Sequence, residues 1–162
     1  MWLTRSYIEG GGGSNAGESY LLAWYFAGFH TKIDSFDKRK KKGFVFTVGD
    51  EPCLKNLPVS AIKDIMGSTS VGQNNYTREE LLAKAQEQNH VYHIHINHGS
   101  RSSSDWKQLL GDHLIEIEDH KTLPRVIASI ILSKLTGKKV TVKKEGETET
   151  VTVVDSTTEI IL

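Results

Sequence analysis

The chain has 162 residues, enough for one domain with a buried core, and its 38% apolar and 25% charged content is ordinary for a soluble globular protein. A formal net charge of zero excludes a nucleic-acid binder held by bulk charge, and no apolar run approaches the roughly 20 residues that a membrane span needs. The single cysteine, Cys53, excludes an internal disulfide and a multi-thiolate zinc site, and fits a reducing, cytoplasmic compartment.

In chain order, residues 2–8 (Trp-Leu-Thr-Arg-Ser-Tyr-Ile) are long enough for a strand, with the tail of a helix as the alternative, and Arg5 and Glu9 followed by glycines do not fit a signal-peptide core. After the glycine stretch, residues 16–30 are apolar and aromatic, predicting a helix buried on much of its surface and weakened at its end by Gly28. Residues 38–43, including the basic run Lys38 to Lys42, read as a solvated polar turn. The β-prone run Phe44-Val45-Phe46-Thr47-Val48 predicts a strand covered on both faces, stopped by Gly49-Asp50-Glu51-Pro52. A short helix is expected over 59–66 with Gly67 as its stop, then a loop over 68–76. Thr77-x-x-Glu80 has capping-box spacing and opens a helix to about Gln88. Strands follow at 91–96 and 114–117, with a short helix over 105–110 between them. Residues 122–135 form the clearest amphipathic helix: Leu123, Val126, Ile127, Ile130, Ile131 and Leu135 share one face, with Pro124 in the first turn and Gly137 beyond the end. Residues 140–143 and 150–154 flank Glu145-Gly146-Glu147 as a β-hairpin, and 159–162 add a candidate third strand.

Strands alternating with helices imply an α/β domain over residues 1–137, with a mainly parallel sheet and helices on both faces, and residues 138–162 form an antiparallel appendix. Ligands of such sheets gather at the C-terminal strand ends. Two loops are expected there. The first is Gly10-Gly-Gly-Gly-Ser14-Asn15-Ala-Gly17-Glu18-Ser19. Its Gly12-x-x-x-x-Gly17 spacing is that of a triphosphate loop, but Glu18 stands where the lysine is required and would repel a polyphosphate. A plain loop before a helix and a flexible Gly-Ser spacer are further readings. The second loop is Gly49-Asp50-Glu51-Pro52, with Asp50 as a capping residue in its bland reading. Cys53, just beyond, is expected to be a small buried hydrophobe.

Gly12-Gly13-Ser14-Asn15 followed by a helix, together with Phe46-Thr47-x-Gly49-Asp50-Glu51-Pro52, resembles two of the three ion-binding loops of a von Willebrand factor A domain, in a form similar to bacterial and phage A-type proteins. The resemblance implies a Rossmann-like fold of which residues 2–135 form the last two-thirds, with 91–96 and 114–117 as its fifth and sixth strands. It implies a Mg2+ or Ca2+ site in which Ser14 stands for the family's threonine, with Asn15, Asp50, Glu51 and Glu18 nearby. The third loop, Asp-x-Ser-x-Ser after the family's central first strand, has no counterpart here. Asp34-Ser35-Phe36-Asp37 and Asp155-Ser156-Thr157-Thr158-Glu159 both fail its pattern. The cation site is therefore expected to be degenerate or incomplete. Without the central strand its neighbours expose an edge that invites a partner strand, a second copy or the C-terminal hairpin.

A separate signal is the histidine cluster His90, His93, His95 and His98. On a strand, His93 and His95 share a face and suit Zn2+, with His98 or Asp112 as a third ligand. That pattern raises a metal-dependent hydrolase as an alternative, against the plainer reading of a half-buried strand. The expected function is a protein-interaction module and not an enzyme, because no nucleophile with an adjacent base is visible. A structural assembly protein without an ion is the third possibility.

Overall fold

The computed structural model describes residues 18–67, 75–97 and 103–137, together with the two-residue strands at 143–144 and 147–148. The order is α1 (Tyr20–Phe29), α2 (Asp34–Arg39), β1 (Gly43–Gly49), β2 (Asn56–Pro58), α3 (Val59–Met66), β3 (Asn75–Thr77), α4 (Arg78–Gln86), β4 (Asn89–Ile96), α5 (Ser104–Leu110), β5 (Leu114–Ile117), α6 (Leu123–Thr136), β6 (Lys143–Lys144) and β7 (Glu147–Thr148). The protein is α/β, built on a parallel sheet of order β1-β4-β5. β2 and β3 form a small antiparallel ladder that the polar composition of the 68–76 loop had not signalled. Of the expected hairpin, Lys143–Lys144 pairs antiparallel with Glu147–Thr148. The candidate strands at 2–8 and 159–162 lie outside the described residues.

Strand alternation sorts the sheet's side chains onto two faces. Val91 and Leu114 belong to the cluster with Tyr20, Leu21, Trp24, Leu81, Ala85 and Trp106, so α1, α4 and α5 cover that face. Tyr92, Ile94, Ile115 and Ile117 join Val126 and Ile130 of α6 on the other. Helices on both faces match the expectation. Both crossovers, β1 through α3 and α4 to β4 and β4 through α5 to β5, pass over the same face and step the same way, as connections of one hand must.

β1 departs from expectation. Only Thr47 in it is buried, and Phe44, Phe46 and Val48 are half-buried. Among the described residues β1 has β4 on one side and no strand on the other, and α6 centres on the β4 and β5 side chains.

Local signals held where the chemistry is short-range. Thr77 and Glu80 form the reciprocal capping box: the Thr77 N–H donates to Glu80 Oε2 at 2.8 Å, and the Glu80 N–H donates to Thr77 Oγ1 at 3.2 Å. Thr77→Ala removes one of these acceptors and is expected to cost about 1 kcal/mol, measured as a lowered urea midpoint at unchanged slope. α3 stops at Gly67 and α6 at Gly137, as expected. α6 buries Val126, Ser129 and Ile130, whereas Leu135, assigned to the same apolar face, is 67% exposed, because the last turn runs past the core. Gly28 has a packing role rather than a terminating one. A Cβ there would meet Lys84 Cγ at 2.8 Å and the Ala85 backbone at 3.2 Å, so its bareness lets α1 and α4 approach. α2 was not foreseen; it is a short exposed helix with an Asp34–Lys38 ion pair at 2.7 Å. Lys38 to Lys42 is exposed, but Lys38 and Arg39 form the last turn of α2, so only part of this basic run lies outside a helix. No helix among the described residues is long and apolar enough to cross a membrane.

Candidate functional site

The C-terminal ends of β1, β4 and β5 define one rim, with Gly49 in register with His95 and His95 with Glu116. The first turn of α1 reaches this rim. A Cβ on Gly49 would fall inside the Tyr20 hydroxyl and 2.8 Å from its Cζ, so only glycine allows the tyrosine to lie across the end of β1. The chain emerging from the glycine-rich stretch therefore enters α1 beside the Gly49-Asp50-Glu51-Pro52 loop. Glu18, whose carbonyl accepts the Tyr20 N–H at 2.8 Å, belongs to the same corner. Asp50 and Glu51 are half-buried there, and the Glu51 carbonyl accepts the indole N–H of Trp106 at 2.9 Å. Ser14 and Asn15 lie outside the described residues, as do His98 and the segment 155–159. Asp34-Ser35-Phe36-Asp37 opens α2, ahead of the N-terminal end of β1 and so away from the rim.

His93 is held on four sides. Its ring stacks on Trp106 at 3.6 Å with planes 9° apart, and Tyr20 meets it edge-on at 5.1 Å. Thr47 Oγ1 lies 2.9 Å from its Nδ1, and His95 sits beside it with ring centres 5.9 Å apart. Burial, with a smaller contribution from His95, pushes its pKa down to about 3, so the imidazole is neutral across the physiological range. The Thr47–His93 contact has a nucleophile–base distance, but Thr47 is 5% exposed and His93 fully buried, so no substrate reaches the hydroxyl. Asp112, expected as a partner for the histidines, is exposed and precedes the N-terminal end of β5, away from the rim. Among the described residues no three His, Cys, Asp or Glu side chains converge on a common metal position.

His90 points to the α6 face. Desolvation, then the Lys134 and Lys42 charges, lower its pKa. His113, which carried no spacing signal, stacks on Tyr92 at 4.4 Å and places Nδ1 2.9 Å from the Val91 carbonyl, where β5 has not yet begun. Cys53 is buried, and desolvation pushes its thiol up to about 12 despite the nearby Arg78 guanidinium, which fits a packing role and not a nucleophile. Sequence reading missed Tyr20, Thr47, Trp106 and Glu116 as site residues. Alternation pairs His93 with His95, but only register brings Thr47 and Glu116 beside them.

Comparison with models of known protein families, with curated proteins and with solved structures finds no match.

Proposed function

We propose that the chain is a protein-interaction module of von Willebrand A type, with an incomplete site for Mg2+ or Ca2+ on the C-terminal rim. The observation that carries this reading is the meeting of the start of α1 with the Asp50-bearing loop at the end of β1, the corner where two ion loops of such a domain belong. Asp50 and Glu51 supply hard carboxylate oxygens, and Ser14 and Asn15, a few residues ahead of α1, supply neutral ones. A cation short of protein ligands completes its shell with water or with a carboxylate from a partner, which couples ion binding to association.

The second support is β1 itself. Its outer edge has no strand partner among the described residues, and Phe44, Phe46 and Val48 stay half-buried beside it. An apolar edge of this kind favours strand addition. The partner this reading favours is a second copy of the chain. The sequence resemblance expects a central strand on that side of β1.

Light scattering on size-separated protein tests both supports. With Mg2+ or Ca2+ the chain is expected to self-associate, and a chelator is expected to shift it towards monomer. Asp50→Ala should remove the cation dependence without lowering the melting temperature, since Asp50 is half-exposed. A chain that stays monomeric with and without cation would sink the reading.

A further inference from the structure

The outer edge of β1 is patterned as well as open. The Gly43 N–H donates to the Gln88 carbonyl at 2.9 Å, and the β1–β4 ladder runs without a break from Gly43–Asn89 to Gly49–His95. Backbone groups alternate in direction along a strand, so Gly43, Val45, Thr47 and Gly49 direct theirs to β4. Phe44, Phe46 and Val48 aim their N–H and C=O groups outward, where no strand of the described residues meets them.

The sequence along that edge is complementary to itself reversed. Turned end for end about Phe46, the run from Lys41 to Glu51 sets Phe46 against Phe46, Phe44 against Val48 and Gly43 against Gly49. Beyond the ladder it sets Lys42 against Asp50 and Lys41 against Glu51. The outward-facing residues then fall in the hydrogen-bonded pairs of an antiparallel ladder, each donating once and accepting once. A register offset by one residue would set outward groups against inward ones. An offset by two keeps the hydrogen bonds but places Lys42 opposite Val48 or Asp50 opposite Phe44.

We propose that two copies of the chain pair antiparallel through β1, about a two-fold axis at Phe46, in one continuous sheet of order β5-β4-β1-β1-β4-β5. This gives the geometry of the self-association proposed above; it rests on the open β1 edge of that reading and not on its cation. The axis stands normal to the sheet, so α6 of both copies lies on one face. Phe44, Phe46 and Val48, half-buried beside α6 in each chain, merge there into a shared apolar strip with an aromatic cross-strand pair at its centre. At each end the exposed Lys41 and Lys42 meet the half-buried Asp50 and Glu51 of the second copy. Lys42 Nζ reaches the Gln86 carbonyl at 2.6 Å, which holds its charge at the start of β1. A carboxylate has two oxygens, so a lysine contact leaves one for a cation. The formal net charge of zero leaves no bulk repulsion between copies.

Copper–phenanthroline oxidation of single-cysteine variants of the full chain, with and without chelator, reads the register. Phe46 faces its own copy at a Cα separation of about 5.5 Å, within the range a disulfide spans. Phe46→Cys is therefore expected to couple with itself. Two copies of residue 44 lie about 14 Å apart in this register, as do two copies of residue 48. Phe44→Cys and Val48→Cys should each stay uncoupled alone and couple when mixed. The native chain is the control, because Cys53 is buried. Charge reversal gives a second measurement on surface residues. In chelator, Lys41→Glu with Lys42→Glu should weaken the dimer roughly 10-fold or more, as should Asp50→Lys with Glu51→Lys, and an equimolar mixture of the two variants should restore it. Self-coupling of Phe44→Cys, or reversed chains that do not recover on mixing, would overturn the proposal. Cation-dependent association without this coupling pattern would overturn it and leave the rim reading standing. The pattern in chelator would support it whatever becomes of the rim. A strict monomer in all conditions would overturn both.

Discussion

Trp106→Ala is expected to lower the stability of the chain by about 3–5 kcal/mol, the range for removing a buried aromatic side chain. Trp106 is fully buried on α5 and is the joint between the helical layer and the rim. It stacks on His93, meets Tyr20 and Trp24 edge-on at 5.3 and 5.8 Å, and donates its indole N–H to the Glu51 carbonyl. Alanine would open a cavity under three aromatic rings and strip one face of a buried histidine. Total stabilities of about 5–15 kcal/mol leave little after such a loss. Trp106→Phe keeps a ring over His93 but removes the donor to Glu51, and it should cost much less than alanine. Urea unfolding of the two variants measures the difference. A cost below about 1 kcal/mol for alanine would mean that α5 is not seated on His93.

The metal-free chain is expected to lose stability as pH falls from neutrality. The sign follows from His93, whose folded pKa of about 3 lies below its ordinary 6.5. Below pH 6.5 the unfolded chain takes up a proton that the folded chain refuses, so stability is fully present above 6.5 and drains away as pH drops towards 3. The loss from this one group reaches about 2 kcal/mol by pH 5 and roughly 4 kcal/mol at the folded value. His90, lowered by burial and by neighbouring lysines, adds a contribution of the same sign. Glu79 and Glu80 are lowered by hydrogen bonds to Arg78 and Thr77 respectively, which gives their stabilisation the same sign. Chemical denaturation at pH 7 and pH 5 in the presence of a chelator reads the effect, and His93→Gln should flatten most of the slope. A wild-type chain equally stable at both values would show that His93 is not buried as neutral imidazole.

These two expectations depend on contacts that no local pattern in the chain announces. Trp106 looks like one apolar residue in a short helix, and His93 like one member of a histidine cluster. Their stacking depends on α5 folding back over β4, and the Thr47 contact on β1 and β4 being parallel neighbours in a particular register. The same limit explains β1, whose continuous apolar run predicts burial on both faces. Burial depends on what lies beside a strand as well as on its own residues, and β1 has one neighbour among the described residues.

Short-range chemistry was legible from the residues alone. The Thr77–Glu80 capping box, the stops at Gly67 and Gly137, the strands expected at 44–48, 91–96 and 114–117 and the alternation that puts His93 beside His95 all arise within a few residues of backbone, and the first two strands extend by one or two residues in the structure. So did the α/β class, because strands alternating with helices leave few ways to bury both. The tertiary structure alone decided that Tyr20 lies across Gly49, that His93 is enclosed and that Glu116 stands next to His95. Those facts join residues well beyond the reach of local backbone, such as Tyr20 with His93 and Thr47 with His93, and their energies come from packing and desolvation, which exist only once the layers have closed.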